Sequence, residues 1–226
     1  MVSLPPSQVN EEYSLYKPIR FPKQGLYVIT RDDSMNYDSM LRAVDLAIRG
    51  GAAVVQYRAK HPANAIGEAT ELLAYCRRAS IPLIINDDVA LANAVGADGV
   101  HLGRDDVSIT LARKRLGRDS IIGVSCYDDI NRAEQAVGMG ASYVAFGRFF
   151  PSVTKPEAPC AQLQTLKLAR ERITVPVVAI GGITLANAPE LLAAGANLLA
   201  VIEGVFGKDD PESASREFRS LWGGDA

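Results

Sequence analysis

A chain of 226 residues and 24.2 kDa exceeds a typical domain of ~150 residues, yet falls within the ~200–250 residues of an α/β barrel. Hydrophobic residues make up 48% and charged residues 22%, near the globular averages, which argues against disorder. Lys plus Arg is 24 and Asp plus Glu is 26, a formal net charge of −2 that offers no bulk attraction to a nucleic-acid backbone or an anionic membrane.

In chain order, the segment Met1–Pro22 comes first. It holds four prolines, two glutamates and no apolar run, so it does not read as a secretory signal. After it one pattern repeats: a β-branched run ending in polar or glycine residues, then an Ala/Leu/Glu/Arg-rich stretch with helical spacing. Strands are predicted over 26–30, 54–58, 82–86, 99–103, 121–125, 143–147, 176–181 and 198–202. Helices are predicted over 38–49, 63–79, 89–95, 108–116, 128–139, 160–172, 185–194 and 211–221. The helix-to-strand joints Gly50-Gly51-Ala52, Gly96-Ala97-Asp98, Gly140-Ala141-Ser142 and Gly195-Ala196-Asn197 resemble one another and fit left-handed helix stops. Eight alternations exceed the usual doubly wound sheet and predict an α/β fold of the (β/α)8 TIM-barrel type. The predicted organisation is an N-terminal extension over 1–24, packed across the barrel floor or frayed, and one barrel domain over 25–226. The longest apolar stretch, Leu191–Ile202, is interrupted by Gly195 and Asn197 and too short for a bilayer. Cys76, Cys126 and Cys160 are odd in number and form no C-x-x-C pair, which points to a reducing, cytoplasmic compartment rather than a disulfide framework.

In such a barrel the chemistry sits at the C-terminal strand ends. Those ends read Gln56-Tyr57-Arg58-Ala59-Lys60, Asn86-Asp87-Asp88, His101-Leu102-Gly103-Arg104-Asp105-Asp106, Ser125 with Cys126, Gly147 to Lys155, and Gly181-Gly182-Ile183-Thr184. Period two places Gln56, Arg58 and Lys60 on one face. Two cations there either pair with Asp87 or Asp106, or hold a phosphorylated leaving group. Asp87 and Asp106 follow neighbouring strands, and carboxylates without His or Cys suit a hard cation such as Mg2+. Capping is the competing use, and one Asp of each pair is expected to cap while the other ligates. Ser152, Thr154 and Lys155 read as a phosphate clamp or lid, or as a plain surface loop. Gly181-Gly182 followed by Thr184 permits close backbone approach to a second phosphate. His101 reads as a hydrogen-bonded core residue rather than a base, and His61 as exposed.

The motifs GLYVIT, VVQYRAK, PLIINDDVALANAVGADGVHLG, IIGVS, ASYVAFGRFFPSVTKP and VAIGGIT, spread over about residues 25–206, together resemble the thiamine-phosphate synthase family. The resemblance implies a (β/α)8 barrel and a transferase. The reaction it implies joins hydroxymethylpyrimidine diphosphate to thiazole phosphate, with loss of diphosphate by a dissociative route. Its implied partners are these small molecules, with no nucleic acid and no membrane; a homo-oligomer is compatible with it. Carried over by motif, Gln56 binds the pyrimidine within the Gln56-Tyr57-Arg58-Ala59-Lys60 stretch. Arg58, Lys60, Asn86, Ser125 and Lys155 surround the diphosphate, with Arg58, Lys60, Ser125 and Lys155 as the catalytic set. Asp87 and Asp106 hold Mg2+. Ser152, Val153 and Thr154, with Gly182 and the backbone at Ile202 and Glu203, form the thiazole-phosphate site.

Two positions depart from the family pattern. Arg104 stands where Gln is usual, and Glu203 where many members carry Ser. A carboxylate aimed at a phosphate would repel it, so Glu203 is expected to offer only its backbone N–H. The competing functions on this barrel are a thiazole tautomerase relying on an acid/base His, a Schiff-base aldolase using Lys60 or Lys155, and a non-catalytic sensor of thiamine precursors.

Overall fold

In the computed structural model, residues 19–31, 37–151 and 160–223 are described. Their strands and helices alternate from end to end: β1 (Gly25–Ile29), α1 (Tyr37–Arg49), β2 (Ala52–Tyr57), α2 (Ala65–Arg78), β3 (Leu83–Asn86), α3 (Val89–Val95), β4 (Gly99–Leu102), α4 (Ile109–Leu116), β5 (Ile121–Tyr127), α5 (Ile130–Gly138), β6 (Tyr143–Gly147), α6 (Leu163–Arg172), β7 (Val177–Ile180), α7 (Ala188–Ala194), β8 (Leu198–Val201), α8 (Glu203–Phe206) and α9 (Pro211–Ser220). The strands pair in parallel in sequence order, and β8 returns to β1 to close the barrel. The expected eightfold barrel is the observed one. The short α8, a single turn with no readable period, was not expected. No helix among the described residues is long and apolar enough to cross a membrane.

Strand alternation divides the apolar residues into two cores. One parity (Tyr27, Ile29, Val54, Ile84, Ile121, Tyr143, Val178, Leu198) fills the barrel interior. The other (Val28, Val55, Ile85, Val100, Val124, Phe146, Val201) packs against the surrounding helices. Phe21, ahead of β1, lies against the interior core from the floor. Its ring stacks on Tyr143 at 4.0 Å between centroids and meets Tyr27 edge-on. Phe21 thus closes on the interior core from the floor side, ahead of β1.

The recurring joints have a structural purpose. Asp98, Ser142 and Asn197 each accept a backbone N–H through the side chain, from Leu83, Ile122 and Val177 at 2.9, 3.0 and 2.8 Å. Their own backbone N–H groups return to the carbonyls of the same three residues. Each side chain thus braces the floor of one strand pair, β3/β4, β5/β6 or β7/β8. The first joint carries Ala52 at this position and has no such side chain.

The helix capped by Asp88, α3, begins at Val89 as expected, whereas α4 and α5, capped by Ser108 and Asp129, begin later than expected, at Ile109 and Ile130. Asp128, expected inside a helix, instead accepts the Gln162 N–H and the Thr165 hydroxyl, and α6 begins at Leu163 rather than Cys160. Asn187 Oδ1 takes the Thr184 N–H, which delays α7 to Ala188.

Candidate active site

At the C-terminal ends of the strands, Gln56, Asn86, His101 and Ser125 have interior parity on β2, β3, β4 and β5. Gln56 is 3% exposed, and the other three are half-buried. The register sets Asn86 opposite His101, His101 opposite Gly123, and Gly123 opposite Tyr143. Glycine is required there. A Cβ on Gly123 would fall on the Cζ, Cε1 and hydroxyl of Tyr143, so its absence lets the tyrosine ring lie over β5 and reach β4.

A continuous polar chain results. Gln56 Nε2 donates to the Tyr27 hydroxyl at 2.7 Å, and Tyr27 and Tyr143 share a hydroxyl–hydroxyl bond of 2.8 Å. Tyr143 meets His101 Nδ1 at 2.9 Å, and His101 Nε2 meets Ser125 Oγ at 2.9 Å. His101 is hydrogen-bonded as expected, but it stands beside Ser125 rather than deep in the core. Burial pushes the Tyr27 and Tyr143 hydroxyls well above the ordinary tyrosine range, so both remain protonated.

Arg58 follows the last residue of β2 and is fixed through its backbone. The buried Thr30 hydroxyl accepts the Arg58 N–H at 2.8 Å and donates to the Arg58 carbonyl at 2.9 Å. Lys60 is exposed and lies beyond the strand, because β2 stops at Tyr57; the expected alternation through Lys60 does not continue that far. Tyr57 and Ala59 were carried into the substrate stretch, but their side chains face the other way. Opposite parity sends the Tyr57 hydroxyl to Glu68 Oε2 at 2.6 Å and packs Ala59 against the helix layer. Cys126 likewise does not line the mouth. It is fully buried in the helix-side core, and burial pushes its thiol up to about 12.

Of the two aspartates after β3, Asp88 is the one that caps, accepting the Leu91 N–H of α3 at 2.8 Å. Asp87 adopts a left-handed backbone (φ 62°), its N–H bonds the His101 carbonyl, and its Oδ2 accepts from Asn86 Nδ2 at 2.6 Å. The second pair differs from expectation: Ser108 caps α4, while Asp106 folds back to accept the Gly103 N–H. Arg104 lies over the Tyr127 ring at 4.5 Å. Arg132 was not singled out from the sequence. From α5 it donates to the Ser125 carbonyl at 2.8 Å and the Gly103 carbonyl at 3.1 Å, joining the ends of β4 and β5. Nothing in an arginine at mid-surface spacing on a helix signals such a reach, whereas Gly123 inside a β-branched run was a readable sign of close approach.

On the far side of the mouth, Gly182 (φ 65°) packs so closely on Phe150 and Pro151 that a Cβ would collide with the Pro151 carbonyl. Its carbonyl accepts from Asn187 Nδ2. Ile202 is half-buried at the end of β8, and Glu203 opens α8. The Glu203 carboxylate is engaged by Arg31, with Nε to Oε1 at 3.3 Å, and Arg31 also donates to the Phe206 carbonyl. Ser152, Val153, Thr154 and Lys155 lie outside the described residues.

Comparison with known proteins gives one consistent picture. A family model described as thiamine monophosphate synthase matches residues 26–205. The chain is 50% identical over 211 residues to a thiamine-phosphate synthase of Methylococcus capsulatus, covering 92% of this chain and 93% of that one. It is 51% identical over 201 residues to that of Azoarcus sp., covering 88% and 97%. Among solved structures, a thiamine phosphate pyrophosphorylase from Pyrococcus furiosus superposes with a TM-score of 0.79 at 34% identity, over 88% of this chain and 95% of that one. A 3-hexulose-6-phosphate synthase matches at 0.64 with 19% identity, a likeness of fold alone.

Proposed function

The chain belongs to the thiamine monophosphate synthase family and is an enzyme of the transferase class, and from that premise we propose how its own residues carry the reaction. The substrates are hydroxymethylpyrimidine diphosphate and thiazole phosphate. The bond from the pyrimidine methylene to the diphosphate oxygen breaks, and its electron pair leaves with diphosphate. The thiazole nitrogen lone pair then forms the new carbon–nitrogen bond. No protein nucleophile or strong base is needed; the protein must bind, orient and stabilise departing charge.

The observation that carries this reading is the convergence, at the ends of adjacent strands β2, β3 and β4, of Arg58, Asn86 with Asp87, and the loop bearing Asp106. Arg58 and Lys60 face the diphosphate, with Lys155 of the loop after β6 as a third cation. Gln56 keeps one amide hydrogen and its carbonyl oxygen beyond its bond to Tyr27, a donor–acceptor pair matching the edge of an aminopyrimidine. Asn86 and the Ser125 hydroxyl supply neutral hydrogen bonds to the phosphoryl oxygens.

Asp87 and Asp106 fit Mg2+ by their chemistry: both offer hard carboxylate oxygens, from the loops after the neighbouring strands β3 and β4. These two carboxylates would hold such a cation, which would lower the cost of charge building on the leaving group. The thiazole phosphate is received by Gly182 and the backbone at Ile202 and Glu203, with Ser152, Val153 and Thr154. The pairing of Glu203 with Arg31 removes the repulsion its carboxylate would otherwise exert. Small phosphorylated substrates and free cysteines, two of them buried, fit a cytoplasmic setting.

The test is diphosphate release by the full chain with both substrates, with and without Mg2+, beside Asp87→Ala. Mg2+-dependent release coupled to thiamine phosphate formation, lost in the variant, supports the reading. Tight binding of both ligands with no release overturns it in favour of a sensor.

A further inference from the structure

We propose that the chain Gln56–Tyr27–Tyr143–His101–Ser125 has one direction, in which His101 accepts at Nδ1 and donates from Nε2–H, presenting the Ser125 hydroxyl to the barrel mouth as a donor. These five residues stand on β2, β1, β6, β4 and β5, and every link spans 2.7–2.9 Å.

The direction follows from counting hydrogens. The Gln56 amide nitrogen can only donate, so the Tyr27 oxygen accepts there and its hydrogen turns to Tyr143. Tyr143 then accepts from Tyr27, and its own hydrogen turns to His101 Nδ1. An Nδ1 that accepts leaves the ring proton on Nε2, which donates to Ser125 Oγ. Ser125 therefore accepts from the histidine and keeps its hydroxyl hydrogen for something else. Among the described residues no other protein group takes it. The functional end demands the same arrangement, because a phosphoryl oxygen is an acceptor and needs a donor facing it. A proton on Nδ1 does not fit: donating to Tyr143, it would turn the tyrosine hydrogens back along the chain and leave the buried Tyr27 hydroxyl hydrogen facing only the Gln56 N–H, with no acceptor among the described residues.

His101 and Tyr143 are positioning residues in this scheme, acting through Ser125. The identity of the acceptor at Ser125 rests on the reading of the site given above, whereas the direction of the chain does not.

The experiment is nitrogen NMR of the full chain labelled with 15N-histidine. The protein has two histidines, so His61→Asn assigns the spectrum. The expected result is a pyridine-type Nδ1 and a pyrrole-type Nε2 for His101 throughout pH 7–8. A protonated Nδ1, an imidazolium or averaged tautomers would overturn the proposal, and the wild-type spectrum alone decides it. Tyr143→Phe removes the donor to Nδ1. It is expected to average the tautomers and to lower kcat about tenfold while KM for the pyrimidine diphosphate stays within about threefold. Unchanged tautomer and unchanged kcat in that variant would also count against it. Ser125→Ala separates the two readings. Full activity there, with the Nε2–H tautomer present, leaves the chain standing and removes Ser125 from the diphosphate site. A large loss with the wrong tautomer does the reverse.

Discussion

Replacing Gly123 with alanine would place a methyl group on the Tyr143 ring, well inside the 3.0 Å that real Cβ atoms respect. The obstacle is not the loose end of a flexible side chain, since the ring is fully buried between Phe21 and His101. It would have to withdraw by about 1 Å or more in a close-packed interior. That movement takes the 2.8 Å bond to Tyr27 and the 2.9 Å bond to His101 beyond useful range. Overpacking costs about 1–3 kcal/mol, and the two neutral hydrogen bonds contribute about 1 kcal/mol each. Gly123→Ala should therefore destabilise the fold by about 3–5 kcal/mol, a large part of a typical domain's ~5–15 kcal/mol. Urea denaturation followed by circular dichroism reads this as a lower midpoint at unchanged slope. Because the cost comes from one ring, Gly123→Ala in a Tyr143→Val background should add less than about 1 kcal/mol. A single variant within about 0.5 kcal/mol of the wild type, or a penalty that persists in the Tyr143→Val background, would refute the reasoning.

Thr30→Val keeps the shape but strands the Arg58 N–H; it should cost about 1–3 kcal/mol in denaturation and lower kcat/KM, while Thr30→Ser retains both. Arg132→Ala releases the carbonyls of Ser125 and Gly103 together. A fall of roughly tenfold or more in diphosphate release, little restored by Lys, is expected, since an ammonium cannot reproduce the fork. Burial raises the Asp98 carboxyl above its ordinary 3.8, so the native state holds that proton more tightly than the unfolded chain. Stability from this group accordingly falls as pH rises from about 3.8 through the raised value. Asp98→Asn keeps an acceptor for the Leu83 N–H and should flatten that part of the stability–pH curve. Cys76 and Cys126, both buried with thiols pushed up to about 12, should resist iodoacetamide at pH 8 in the native state, while the exposed Cys160 reacts.

The barrel was legible because each strand and helix announces its period, and eight repeats leave few alternatives. Boundaries moved by a residue or more where the sequence hides a competition between side chain and backbone. Ser108 and Asp129 hold the starts of α4 and α5 one and two residues later than composition alone would place them. Parity along a strand was also readable, and it set Gln56 and Arg58 on one face; His101 and Ser125 share the interior parity in the structure, but nothing in their strings was read that way. The stagger between strands was not readable, and it alone brings Tyr143 of β6 over Gly123 to His101 of β4. The opposite parity of Tyr57 and Cys126 follows from the same alternation, which reading a strand end as a continuous string ignored. Arg132 and Thr30 escaped notice because they act on backbone groups of distant segments, and neither carries a local pattern.

The floor braces at Asp98, Ser142 and Asn197 give the barrel a period of two strands instead of one. Each ties an even-numbered strand to the odd one before it by a reciprocal pair of bonds at the floor, whereas β1/β2 has no such brace there and is tied by side chains only higher up, through Thr30 on Arg58 and Gln56 on Tyr27. Viewed this way, the molecule is three clamped quarters and one unclamped quarter, with β1 also forming the closing seam to β8. Slow amide exchange should accordingly group by quarters, with Leu83, Ile122 and Val177 as the last protons lost in theirs. The unclamped quarter carries Tyr27, Gln56, Thr30 and Arg58, so the part of the barrel freest to breathe at its base is the one whose top is proposed to receive the leaving group.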